Sequence, residues 1–291
     1  MSSNLTEQTI TPVVQQTFDT STDDRFRQVL VSLVQHLHDF ARDVRLSGDE
    51  WFAAVDFIER LGKISSPTRQ EVVLLSDILG LSMLLDTMNE SPGGSATASA
   101  LLGPFYTEGR PTAANGDDIS NGVAGTPMFV TGRVVDERGR PIAGAQVDTW
   151  HSDGVGFYDV QLTEQLHGEF AMRALLTTDD DGRFWYRSIT PRYYPVPTDG
   201  PCGEILRAAN RSVMRPQHVH FWFHADGYRS LITQLFLKDD PYIGRDAVFA
   251  DQTSLQADFV HHEPGVAPDG TTVEEPFVTL DWTFVLAGVT P

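Results

Sequence analysis

The feature that most restricts the fold is a change of hydrophobic period near residue 95. Before it, Phe26, Leu30, Leu33, Leu37, Phe40 and Val44 recur at alternating steps of four and three, one stripe along a helix. Ser21 and Asp24 offer that helix a capping box. A second helix opens at Ser47, with Glu50 three residues on and Trp51, Ala54, Ile58 and Leu61 on one face. A third follows Ser66-Pro67, where proline suits the first turn, and runs through the apolar stretch around residues 74–88. Segment 89–99, NESPGGSATAS, is a loop by composition.

Beyond the loop, apolar residues alternate. Residues 128–135 predict a strand, Asp136-Glu137-Arg138-Gly139 a turn, and 145–150 the returning strand. A second strand–turn–strand unit covers 174–187 with its turn at Asp179-Asp180-Asp181-Gly182, and 219–223, 231–237 and 277–286 add β-rich segments. Short strands separated by Gly and Pro predict a β-sandwich. The expected architecture is therefore α+β: an arm over 1–20, an α-helical domain over 21–95 and a β-sandwich over 96–291. The arm is polar and without a period, so it is either mobile or a contact for a partner.

Charge and cysteine usage limit the function classes. The chain of 291 residues has 21 Lys and Arg against 40 Asp and Glu, a formal charge of −19 and the wrong sign for tracking phosphates or anionic membranes. Its one cysteine, Cys202, permits neither an intrachain disulfide nor a thiolate zinc site. The first residues lack a basic segment and apolar block, and no apolar run approaches membrane-spanning length. A cytoplasmic location is expected.

The run Arg215-Pro216-Gln217-His218-Val219-His220 places two imidazoles at i and i+2, on one face of a strand. Such a pair grips a metal ion, or is simply a strand face that carries histidine. Tyrosines lie in loops at Gly156-Phe157-Tyr158 and Tyr193-Tyr194-Pro195-Val196-Pro197. Each reads alone as a half-buried aromatic with a wet hydroxyl. Together, Tyr158, Tyr194, His218 and His220 are nitrogen and phenolate-oxygen donors without a thiol, a set that suits ferric iron better than zinc. Coordination to such an ion makes deprotonation of a phenol favourable at neutral pH, and a phenolate that leaves the metal is a base. His36, His38, His261 and His262 have no other ligand type near them in sequence and are assigned to surfaces.

These motifs, with Leu102-Gly103-Pro104-Phe105-Tyr106 and Trp150-His151, resemble in content and order those of the intradiol aromatic-ring-cleaving dioxygenases, non-haem ferric enzymes. The likeness covers nearly the whole chain after the arm. It implies that Tyr158 and His218 are equatorial iron ligands and Tyr194 and His220 the axial pair. It also implies that Arg215 lies beside the substrate, with Gln234 as a supporting polar residue. Leu74-Leu75-Ser76-Asp77 and Tyr194-Pro195-Val196-Pro197-Thr198-Asp199-Gly200-Pro201 are similar to the hydroxyquinol branch. The implied substrate pocket is Leu74, Asp77, Leu101, Leu102, Gly103, Pro104, Phe105, Val196, Pro197, Arg215 and Val248. Leu101 and Leu102 before Gly-Pro, and Val196 where a larger aliphatic residue is common, depart from that pattern and bear on tolerance for ring substituents. Leu74, Leu75, Ile78, Leu79 and Leu81 around Asp77 are apolar nearly all round, which predicts a well-buried helix and a carboxylate in need of partners.

The implied activity is cleavage of hydroxyquinol by dioxygen between adjacent hydroxyl carbons, giving 3-hydroxy-cis,cis-muconate, the enol of maleylacetate. Catechol and chlorocatechol are the alternative substrates. The resemblance also implies that the helical domain forms a homodimer that encloses a lipid tunnel. A reading from another class rests on Gly132-Arg133-Val134-Val135 and Pro141-Ile142-Ala143-Gly144-Ala145, which also look like the first hairpin of non-catalytic transthyretin-like modules.

Overall fold

The computed structural model describes residues 4–66, 69–89 and 94–289. Two compact units meet in sequence between Arg60 and Leu61. The helices are α1 (Ile10–Gln16), α2 (Asp24–Asp43), α3 (Gly48–Ile64), α4 (Glu71–Ile78), α5 (Leu81–Asn89) and α6 (Pro201–Ala208). Within the first unit, α1 corrects the expectation of an aperiodic arm. It has only two turns, and the amide of Gln15 ties it to Val31 O and Gln35 of α2, while Thr11 bonds His38 Nδ1 at 2.9 Å. The cap of α2 is Asp23, which accepts from Phe26 N at 2.9 Å, in place of the expected Ser21–Asp24 box. Ser47 and Glu50 do cap α3 reciprocally, with Ser47 N to Glu50 Oε2 at 2.8 Å and Glu50 N to Ser47 Oγ at 3.3 Å. The α2 stripe forms, yet Phe26, Leu33, Leu37, Phe40 and Val44 are all more than half exposed in the single chain.

The helix expected through 74–88 is two helices, α4 and α5. Gly80 has φ +75°, a conformation that interrupts the helix and that glycine adopts without a Cβ clash. The expectation of burial all round also fails: Ile78 is fully buried, but Val72, Val73, Leu79 and Leu81 are exposed in the single chain. Pro67 and residues 90–93 of the expected loop lie outside the described residues. Buried Glu71, in the first turn of α4, accepts from Cys202 N of α6 at 3.1 Å, and Arg69 bridges Glu71 and Asp199. These bonds set α4 against the segment that follows Tyr194.

The strands are β1 (Pro127–Asp136), β2 (Gln146–His151), β3 (Arg173–Thr177), β4 (Arg183–Ile189), β5 (Tyr194–Pro195), β6 (Met214–Arg215), β7 (His218–His224) and β8 (Leu231–Leu237). They continue as β9 (Gln256–Ala257), β10 (Val260–His262), β11 (Gly265–Val266), β12 (Thr272–Val273) and β13 (Phe277–Leu286). One sheet has the order β10-β13-β1-β4, with β13 parallel to β1; the other has β3-β2-β7-β8-β9. Two-stranded ribbons β5·β6 and β11·β12 complete the set.

Between the two larger sheets, Val219, Phe221 and Phe223 of β7 meet Phe184 of β4 and Phe284 of β13, whose ring lies 4.9 Å from Phe221 and 4.5 Å from Phe223. Burying each Phe contributes about 1.5 to 3 kcal/mol. Alternation on β7 then sends His218, His220 and Trp222 to the outer face. A one-residue slip would drive both histidines into the apolar core, so packing fixes the register of the site.

Candidate metal centre and active site

His218 and His220 are each 1% exposed although they face away from the sandwich core. Tyr158 ends the turn after β2, where its backbone N–H donates to Gln161 Oε1. Tyr194 stands on β5, directly paired with Arg215 on β6. The functional atoms converge: Tyr158 Oη is 3.2 Å from His218 Nε2 and 3.4 Å from Tyr194 Oη, and Tyr194 Oη is 3.5 Å from the same nitrogen. The His220 ring lies 4.9 Å from that of His218 and 6.1 Å from that of Tyr158.

The protonation states suit ligands. Burial, then Arg215, holds His218 well below the usual imidazole range; burial, then His218, does the same to His220. Both are neutral donors near pH 7. His218 Nδ1–H donates to Pro216 O at 2.6 Å, which leaves Nε2 with its lone pair toward the tyrosines. Burial and the neighbouring Tyr194 push the Tyr158 phenol well above its ordinary value, so a cation is needed to draw off its proton. Ligands about 2.0 to 2.1 Å from one metal and 90° to 120° apart stand roughly 2.8 to 3.6 Å from each other, the spacing of these three donor atoms. Among the described residues no three His, Cys, Asp or Glu side chains converge, so a metal site here has to draw on tyrosine oxygen.

Arg215, 5% exposed, points Nη1 at His218 Nε2 at 3.3 Å. Its Nε and Nη2 each donate to Asp246 at 3.2 Å, and Nη2 donates to Gln234 Oε1 at 2.9 Å. Burial is the largest influence and opposes its charge, but Asp246 together with the Tyr194 and Tyr158 hydroxyls more than offsets it, so the guanidinium stays protonated. Gln234 in turn donates to Leu101 O at 2.5 Å. From there the chain crosses the ligands: Leu102 packs on the Trp150–Tyr158–Tyr194 cluster, and Phe105 stacks on Tyr158 at 4.4 Å. Gly103, at φ +76°, runs so close that a Cβ would lie 3.3 Å from His220 Cε1. Pro104 and Pro197 are exposed, Val196 and Val248 are buried, and Leu74 and Asp77 are half-buried on α4. No hydrogen bond or ring contact joins Leu74, Pro104, Val196, Pro197 or Val248 to the four donors. Burial raises the Asp77 carboxyl, while Ser82 and Arg215 oppose the rise.

Three supports were not read from the sequence. Asp246, which holds Arg215, lies 31 residues beyond it in an ordinary polar loop. Arg173 grips Asp159, the residue after Tyr158, at 2.6 and 2.9 Å and donates to Phe105 O at 2.8 Å. Trp150 stacks on His220, and only its place in a motif marked it. None of His36, His38, His261 and His262 is buried.

Residues 23–97 match the family profile described as catechol dioxygenase N terminus, and residues 101–288 the profile described as dioxygenase. The chain belongs to the intradiol ring-cleavage dioxygenases. The 6-chlorohydroxyquinol 1,2-dioxygenase of Cupriavidus pinatubonensis is 45% identical over 264 residues, 90% of each chain. The hydroxyquinol 1,2-dioxygenase of Rhodococcus opacus is 41% identical over 284 residues, 97% of this chain and 94% of the relative. The crystal structure of hydroxyquinol 1,2-dioxygenase from Pseudomonas putida DLL-E4 superposes with a TM-score of 0.91 at 39% identity, covering 97% of this dioxygenase and 99% of that chain. A match over 101–288 extends far beyond the first hairpin, so the transthyretin-like reading falls away.

Proposed function

We propose that this dioxygenase cleaves hydroxyquinol (benzene-1,2,4-triol) with dioxygen to 3-hydroxy-cis,cis-muconate, with ferric iron held by Tyr158, Tyr194, His218 and His220. The observation that carries the reading is the convergence of two phenols and two neutral imidazoles beside the charged Arg215. The names of the relatives support the substrate. Bound ferric iron supplies Lewis-acid polarisation of the two adjacent ring oxygens and draws ring electron density toward reaction with dioxygen. Tyr194 Oη would be the base that takes a proton from a substrate hydroxyl. Arg215, kept charged by Asp246 and oriented by Gln234, stabilises negative charge that builds on the ring as it opens. Asp77 accepts a hydrogen bond from the third hydroxyl, and Leu74, 101–105, Val196, Pro197 and Val248 shape the ring pocket.

The exposed apolar stripe of α2 supports a homodimer joined through the helical unit that would hold a lipid between the two copies, and a cytoplasmic setting fits the single buried cysteine. Among the described residues no helix is long and apolar enough to cross a membrane. Metal analysis with a visible spectrum, followed by assays on hydroxyquinol and catechol, tests the function. The expected protein is red-brown, holds one iron per chain and prefers hydroxyquinol. A colourless, fully active zinc protein would refute the metal; a preference for catechol would refute the substrate.

A further inference from the structure

The two histidines of the centre are held by different forces. His218 is fixed from behind by its hydrogen bond to Pro216 O. His220 Nδ1 is buried and has no hydrogen-bond partner among the described residues. What His220 has is a flat neighbour: the Trp150 indole lies 4.7 Å away, only 11° from parallel, from the register partner of His220 on β2. Trp150 is fully buried and is backed by Tyr106, edge-on at 5.2 Å, which also meets Trp222 at 5.0 Å. Tyr106 donates to Asp148 at 3.4 Å, and Arg110 pairs with Asp148 at 2.6 Å. Gly103 closes on the other edge of the imidazole.

We infer that Trp150, backed by Tyr106, is the positioning residue for His220, fixing by ring stacking the orientation that the Pro216 carbonyl gives His218. Metal-binding histidines are ordinarily aimed by a hydrogen bond from the second ring nitrogen, and losing that support costs about 10- to 100-fold in metal affinity. A ring stacked at 11° loses the overlap when it turns part-way about its Cβ–Cγ bond, so stacking fixes the plane of the imidazole, as a hydrogen bond to Nδ1 would. The inference rests on the ferric reading and concerns how one ligand is aimed, not which residues are ligands.

The test uses the full-length iron-loaded protein and follows decay of the visible band on addition of a chelator, with the electron paramagnetic resonance of the ferric centre as a second readout. Trp150→Leu is expected to lose iron about 10- to 100-fold faster than wild type and to change the resonance, while Trp150→Phe, which keeps a flat ring, stays within about threefold. Trp185→Leu, a loss of equal size on β4, is the control and should match wild type. Equal acceleration in Trp150→Leu and Trp150→Phe, or none in Trp150→Leu, would overturn the assignment. If Trp150→Leu does not fold, Tyr106→Leu against Tyr106→Phe decides: faster iron loss in the former alone supports the stack, and no difference overturns it. A wild-type protein with no iron and no visible band would refute the ferric reading instead.

Discussion

Removing the carboxylate of Asp246 isolates the electrostatics of the site. The Arg215 side chain is 5% exposed and that of Asp246 fully buried, so Asp246→Ala leaves a guanidinium in the interior with no carboxylate bonded to it among the described residues, its remaining neighbours being Gln234, His218 and the Phe236 ring. Breaking a buried pair by deleting one member costs about 3 to 5 kcal/mol, because the remaining charge stays desolvated. Asp246 also accepts from Val248 N and Ala250 N, so the same change frees two buried donors and adds to the loss. At about 2 to 4 °C per kcal/mol, the melting temperature of the unit should fall by roughly 6 to 20 °C. Arg215 no longer aimed at the site should lower kcat/KM by about 100-fold or more. Thermal unfolding and steady-state oxygen uptake measure both quantities. The double variant Arg215→Met with Asp246→Leu should regain the stability lost to the lone buried charge, but not the part lost with the Val248 and Ala250 hydrogen bonds, and none of the activity. An Asp246→Ala protein within 1 kcal/mol of wild type, or one with unchanged kcat/KM, would refute the account of Arg215 as a charge held in place by Asp246.

Tyr194→Phe removes the proposed internal base, so rapid anaerobic mixing with hydroxyquinol should show the iron–substrate band forming more slowly than in wild type; formation at the wild-type rate would exclude that role. Asp77→Ala should reduce kcat/KM for hydroxyquinol more than for catechol by roughly ten- to a hundredfold, matching about 1 to 3 kcal/mol for a buried acceptor and its donor, with iron content unchanged. Equal losses on both substrates would reduce Asp77 to a support of α4. His151, sealed between Ser152 O and Ser188, is pushed down to about 4 by burial, against which the Ser152 carbonyl acts. The unfolded chain then binds this proton first, so stability falls as pH drops from about 6.5 to about 4, by roughly 3 kcal/mol for this group. Denaturant unfolding of iron-free His151→Gln should show that much less acid sensitivity than wild type, and identical slopes would mean that His151 is not held neutral.

The sandwich was legible because its strands carry their own signals. The expected strands 231–237 and 277–286 have the observed bounds, and the Asp179–Gly182 turn is fixed by Asp179 accepting from Asp181 N and Arg183 N. The break at Gly80 was hidden because the apolar residues run on through it, and period alone does not reveal a reversed φ. The α1 helix was hidden for the opposite reason: its order comes from polar contacts with α2 rather than from an apolar stripe. At the site, residue types pointed to the four side chains that converge, since histidines at i and i+2 on a strand must share a face. Asp246, Arg173 and the stack under His220 depend on which chain segments meet in space, and no local pattern carries that information.

The parallel pairing of β13 with β1 also governs how the molecule can be made. Nine residue pairs from Met128↔Val278 to Asp136↔Leu286 join the first sandwich strand to the last, and β13 lies between β1 and β10 within its sheet. During synthesis, β1 therefore waits with one edge open until residue 286 has emerged, while the β7–β8 hairpin pairs early from local contacts. An exposed strand edge in an incomplete chain is a template for association with other chains. Chains stopped before residue 277 should accumulate as aggregates or be degraded rather than persist as folded, metal-free sandwiches, and a chaperone that delays collapse should raise the yield of full-length protein more than one that acts on the finished fold.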